Sequence, residues 1–157
     1  MTIEDLKAYI EKIVAQAKRL KDKYTDQADA PVNYACVFCH NNQEFDEYSS
    51  LIQQAGKVIK QTQTGPLVQI EPWTTVAGEL QLVKIRRPDP TRPQQGDADF
   101  TVKDYQRFKE QYLPLPNFSL IVRDEFEMIE LKGPDFDVLA YFSHPTLEEL
   151  LAIKKED

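Results

Sequence analysis

Four acidic residues, a basic cluster and one cysteine-histidine run are the parts of this chain whose types and spacing could do chemistry. Asp97, Asp99, Glu127 and Glu130 all fall in segments that read as strands. Strand alternation puts Asp97 and Asp99 on one face and separates Glu127 from Glu130, so at most three of the four share a face. A carboxyl pair shielded from water can divide general acid and base work between its members, whereas the same residues on an outer face are simply solvated. Lys84, Arg86, Arg87 and Arg92 form a short basic cluster that could hold a small anion, or could be a solvated strand end.

Cys36-Val37-Phe38-Cys39-His40 matches C-x-x-C-H, the attachment sequence of c-type haem. On a strand, however, residues 36 and 39 point to opposite faces, so both thiols do not reach one porphyrin or each other. Covalent haem at Cys36, Cys39 and His40 is therefore set aside for two unpaired thiols. His40 and His144 are the only histidines, and a shared metal site would require distant strand ends to meet. The five glycines build no phosphate-binding loop, and no G-x-S-x-G nucleophile turn occurs.

Composition removes other classes. Twenty-six acidic against 19 basic residues give a net charge of -7, which opposes phosphate-backbone binding, so no nucleic-acid partner is expected. No window approaches the roughly 18 apolar residues of a membrane span, and no membrane partner is expected. The expected location is the cytoplasm, since the N-terminus shows no apolar signal-peptide core.

The elements that must position these residues follow from periodicity. Ile3, Leu6, Ile10, Ile13, Val14, Ala17 and Leu20 recur at helical spacing over residues 3 to 23, with Thr2 and Asp5 as an N-terminal signal. Residues 32–40 read as a strand and 44–56 as a helix ending at Gly56, followed by strands at 57–63, 67–73 and 79–85. After the proline-rich stretch that opens Arg86 to Tyr112, the order returns: a strand carrying Asp97 and Asp99, a helix over 103–113, and strands at 118–123, 126–131 and 137–142. Both halves read β-α-β-β-β. Thr146 and Glu149 spell a capping box for a short helix before a charged tail.

In the runs Val32 to His40 and Gly96 to Asp104, and in the His-Pro pair before the helix of SHPTLEEL, the chain resembles the vicinal oxygen chelate superfamily, the glyoxalase and bleomycin-resistance fold. Within it the chain is most similar to the YecM-like predicted metal-binding proteins. The resemblance implies paired βαβββ modules curled around a cleft. It also implies, for catalytic members, a divalent metal held by a His or Glu near the start of each module's first strand and a Glu on its last. Carried over, those positions fall on Tyr34, on about Lys84, on Asp97, and near Ala140 or Tyr141. Only Asp97 is a plausible ligand, because a protonated lysine has no lone pair to give. The expectation is a lost or altered metal centre, with Lys84 facing Asp97 as an ion pair where the metal would sit.

The expected fold is thus α+β in one domain: two βαβββ modules at 32–88 and 96–145 forming curled mixed sheets around a cleft, an N-terminal helix within 1–24, and a C-terminal helix and tail over 146–157. The expected function is metal-free binding of a small aromatic or anionic molecule by Tyr34, Lys84, Arg86, Asp97, Asp99 and Tyr141. One alternative is a divalent-metal-dependent lyase, isomerase or dioxygenase-type enzyme with Asp97, Glu130 and His144 as ligands. Another is a protein-interaction module that docks through its N-terminal helix. Monomer and homodimer are both compatible with such modules.

Overall fold

A computed structural model describes residues 1–153. The first helix, α1 (Ile3–Tyr24), starts where Thr2 and Asp5 cap each other's backbone amides at 2.9 and 3.1 Å. Its apolar stripe then drives it onto the sheet. β1 (Val32–Phe38), α2 (Asn42–Ile52), β2 (Gly56–Thr62), β3 (Gly65–Thr75) and β4 (Gly78–Arg86) make the first half. β5 (Gly96–Phe100), α3 (Tyr105–Tyr112), β6 (Phe118–Val122), β7 (Glu127–Leu131) and β8 (Val138–His144) make the second, and α4 (Leu147–Leu150) closes the described chain behind the Thr146–Glu149 capping box. The charged tail anticipated after α4 falls, from residue 154 on, outside the described residues.

The strands form one continuous sheet in the order β2-β3-β4-β1-β5-β8-β7-β6. Within each half the first strand lies parallel to the last, β1 to β4 and β5 to β8, while the remaining neighbours are antiparallel. The halves join through the antiparallel β1–β5 pair, in which Ala35 faces Ala98 and Cys36 faces Asp97. The join is tight. A Cβ on Gly96 would stand 2.1 Å from the Cys36 carbonyl oxygen, so only glycine lets β5 approach β1 at the residue before Asp97.

One sheet face carries the main core. Leu6, Ile10, Ile13, Val14, Ala17 and Leu20 of α1 are all fully buried with Val37, Val83, Ala98 and Ala140. α1 packs chiefly on β8, β1 and β5. The apolar face that the interaction-module alternative would dock to a partner is thus covered by the chain's own sheet. Deleting residues 1–24 is expected to abolish cooperative unfolding in urea, and Ile13→Ala to cost about 2–5 kcal/mol for the cavity it opens. An unchanged unfolding midpoint for the deletion would mean that α1 is dispensable to the core.

Candidate functional site

Cross-strand register builds the other face in rows. Lys84 of β4 lies beside Cys36 of β1, which lies beside Asp97 of β5. The next row runs Tyr34, Asp99, Tyr141, Glu130 across β1, β5, β8 and β7. Partners in register share a face, so alternation along four strands aims Tyr34, Cys36, Lys84, Arg86, Asp97, Asp99 and Tyr141 at one cavity of about 360 Å³. Cys36 and Tyr141 line it and pack with Phe38 and Leu139 in a small buried apolar group on this face. Ile121 and Met128 from the β6–β7 side, Leu67 from β3, and Leu147 and Leu150 of α4 complete apolar walls.

All six residues expected to bind a ligand line this cavity. The two aspartates differ sharply in circumstance. Asp99, 4% exposed, is saturated: it accepts from Asn33 Nδ2 at 3.0 Å, from the Ser143 amide at 3.3 Å and from the Ser143 hydroxyl. Asp97, 5% exposed, has a fully buried Oδ1 with no hydrogen-bond partner. Burial pushes both carboxyls up. Asp99 rises to about 6 with its hydrogen bonds pulling back; Asp97 is held well above the usual carboxylate range by burial and then by the repulsion of Asp99, against the pull of Arg86, Arg92 and Lys84.

The expected Lys84–Asp97 ion pair does not form: among the described residues Lys84 has no carboxylate within 4 Å. The reason is strand order. β1 lies between β4 and β5, so the two side chains spring from positions two strand spacings apart, roughly 10 Å, with Cys36 in the gap. Lys84 faces the cavity as an unpaired ammonium whose pKa burial lowers. Arg86, by contrast, leans on Phe38, with its guanidinium carbon 5.5 Å from the ring centre, and reaches Asp89 at 3.4 Å while its Nε stays buried and unpartnered.

Of the last-strand candidates, Tyr141 faces the cavity and Ala140 sits in the opposite core. Glu130 is not free, because Arg92 donates to it at 3.0 Å and Tyr141 at 2.8 Å, while Arg92 also donates to the Tyr141 hydroxyl at 2.8 Å. His144 lines a different cavity, stacked on Tyr105 with ring centres 4.8 Å apart, so Asp97, Glu130 and His144 do not converge as one ligand set. His40 instead meets the Gln94 carbonyl at 2.9 Å. Cys36 is buried on the cavity side and Cys39 in the opposite core.

Three participants were not singled out as site residues from the sequence. Arg92 belonged to the basic cluster but lies in the β4–β5 connection, where alternation gives no direction. Asn33 reaches Asp99 because the β1–β5 register slips between Val32 and Tyr34. Ser143 could have been found, since it lies two residues beyond Tyr141 on the same strand face.

A resident divalent metal is tested by this donor set. The cavity is lined by three carboxyls, the saturated Asp99, the exposed Glu125 and the buried Asp97, beside Lys60, Lys84, Arg86, Arg92 and Arg123. Among the described residues no group of three or more His, Cys, Asp or Glu side chains could hold a metal ion. Five cations around one buried, unsaturated carboxyl do not fit a divalent ion.

No family model and no curated protein matches the sequence. Among solved structures, the chain is similar to one described as Structural Genomics, Protein EC4020, at TM-score 0.72 and 13% identity over 97% of this chain and 92% of that one. It is also similar to a glyoxalase/bleomycin resistance protein/dioxygenase superfamily member from Vibrio splendidus 12B01, at TM-score 0.47 and 10% identity over 73% and 97%. A triple mutant of 4-hydroxymandelate synthase from Streptomyces coelicolor gives TM-score 0.36 and 13% identity over 78% and 50%. The fold is α+β, with an eight-stranded curled sheet flanked by an N-terminal and a short C-terminal helix, and the first of these structures shares it. Among the described residues no helix is long and apolar enough to cross a membrane.

The raised carboxyls set a pH dependence. A carboxyl that holds its proton more tightly folded than unfolded stabilises the fold below its unfolded value near 3.8, and that contribution is lost as pH rises towards the folded value. Stability is therefore expected to fall from about pH 4 through about 6 as Asp99 ionises, with a second loss in the same direction from Asp97, whose carboxyl is also raised. Asp97→Asn should be more stable than the parent at pH 8 by a margin that shrinks at pH 5. Urea midpoints at both pH values check this, and parallel curves would show that Asp97 ionises normally.

Proposed function

We propose that the protein binds a small molecule in the cleft between its two halves and that the cleft works without a resident metal. One observation carries the reading: an unpaired Lys84 ammonium and an unpartnered Asp97 oxygen face the same cavity, each at a cost that a ligand's polar groups would offset. The cavity's volume lies within the range of small-molecule pockets, and its walls mix apolar and aromatic surface with a few convergent polar groups. A molecule with an apolar or aromatic body and a polar or anionic end fits that mixture.

The resemblance to YecM-like predicted metal-binding proteins would imply a metal here, and the donor chemistry is what sets this chain apart. A divalent ion beside Asp97 would stand near Lys84, Arg86 and Arg92, whose charges already act on that carboxyl.

Elemental analysis of the purified protein should find far less than one equivalent of Zn, Mn, Fe or Ni, and excess EDTA should leave the thermal midpoint unchanged. A stoichiometric metal that survives dialysis would overturn the metal-free reading. A fragment soak should place density between Lys84 and Asp97; fragments bound only elsewhere would overturn the binding reading.

A further inference from the structure

The row Lys84–Cys36–Asp97 defines the ligand's polar end more closely, an inference that rests on the binding role just described. Lys84 presents positive charge with no counter-ion, and Asp97, about two strand spacings away, presents a buried oxygen with no partner. Between them the floor is Cys36, whose thiol burial holds protonated, so the middle of the row carries no charge. A group that satisfies both ends must be anionic towards Lys84. Towards Asp97 it must either donate or, if Asp97 carries a proton, accept.

The surroundings decide between those two. Asp99 stands on the same face two residues along. From β1, Tyr34 and Cys36 face Asp97 as neutral groups held so by burial; from β8 comes Tyr141, likewise neutral. From β4 come Lys84 and Arg86, and from the β4–β5 connection Arg92, whose charge is already engaged by Glu130. An anion arriving in this row adds a second negative neighbour to Asp97 and shifts it further towards its neutral, hydrogen-bond-donating form. A dianion such as phosphate would meet the aspartate pair with more repulsion and would leave the apolar walls unfilled.

We propose that the cleft takes an aromatic monocarboxylate whose carboxylate bridges the Lys84 ammonium and a protonated Asp97 over Cys36, so that binding is coupled to uptake of one proton. The proton goes to Asp97 from solvent, and no covalent bond is made or broken. Tyr34 and Tyr141 flank the row and supply the aromatic contact.

Benzoate is the probe, with benzyl alcohol as its neutral counterpart and inorganic phosphate as the anion without an apolar body. Calorimetry on the full chain in two buffers of different ionisation enthalpy should show net proton uptake that grows with pH towards one proton per benzoate as Asp97 ionises in the free protein. Affinity should fall as pH rises, by up to tenfold per unit once Asp97 is ionised in the free protein. Asp97→Asn, which keeps a donor but cannot titrate, should bind benzoate with proton uptake abolished, which separates Asp97 from any high-pH loss due to Lys84. Lys84→Met should weaken benzoate at least tenfold and benzyl alcohol little. Benzoate binding without proton uptake, or phosphate binding more tightly than benzoate, would overturn the inference. Benzyl alcohol binding in the row while benzoate does not would overturn it and leave the binding role standing; failure of every fragment in the cleft would remove both.

Discussion

The pairing of β1 with β5 is the constraint on which the rest of the molecule depends. Among the described residues it is the only strand ladder between the two halves, and Gly96 makes it possible by letting β5 come against the Cys36 carbonyl where any side chain would collide. Because each half places its first strand parallel to its last, this single join puts β4, β1, β5 and β8 side by side at the sheet centre. Four strands then deliver one or two side chains each to a common surface. The same pairing that closes the core also keeps Lys84 and Asp97 apart, since β1 cannot be removed from between them.

The two faces of the sheet divide stability from chemistry. On one, α1 lays six fully buried apolar residues over the central strands and gives the fold a dry, close-packed core. On the other, charged and phenolic side chains crowd a cavity, an arrangement that costs free energy unless each polar atom finds a partner. Most do: Glu130, Tyr141 and Arg92 satisfy one another in a triangle, and Asp99 is saturated by Asn33 and Ser143. The triangle and the Asp99 cluster brace β5, β8 and β7, so the groups left over are held in place by a stiff surround.

Periodicity made the elements legible to within a few residues, because a buried face imposes 3.6- or 2-residue repeats; the helix read as ending at Gly56 stops at Ile52, and Gly56 opens β2, where a Cβ would stand 2.1 Å from the Gln69 carbonyl oxygen. Alternation also carried the cleft: Asp97 with Asp99, and Tyr34 and Tyr141, do point into one cavity. What alternation does not encode is strand order. A pairing of Lys84 with Asp97 presumes that β4 neighbours β5, and nothing in either strand's residues reports that β1 intervenes. The side chains that left the pattern were equally hidden. Arg92 projects from a connection, and Asn33 enters the polar network through a register slip that a strict period-2 reading places on the wrong face. His144 keeps its strand position but is drawn onto Tyr105 of α3, a contact set by how the helix crosses the sheet.

Asp97 and Asp99 are the sharpest evidence for which part of the cleft awaits a ligand. They share a strand, a face, nearly equal burial and a carboxyl chemistry, so burial alone cannot explain why one is fully bonded and the other is not. A purely structural role would be served by partners like those of Asp99, since an unpartnered buried oxygen costs about 1–3 kcal/mol. Nor is Asp97 neutralised by the nearest unpaired cation, which β1 holds across a gap the size of a small functional group. A divalent ion would fill that gap with too few donors and too many cations around it. A single negative group filling it meets charge at one end and a hydrogen bond at the other, and the cost carried by both residues in the free protein becomes part of the affinity for whatever fills the space.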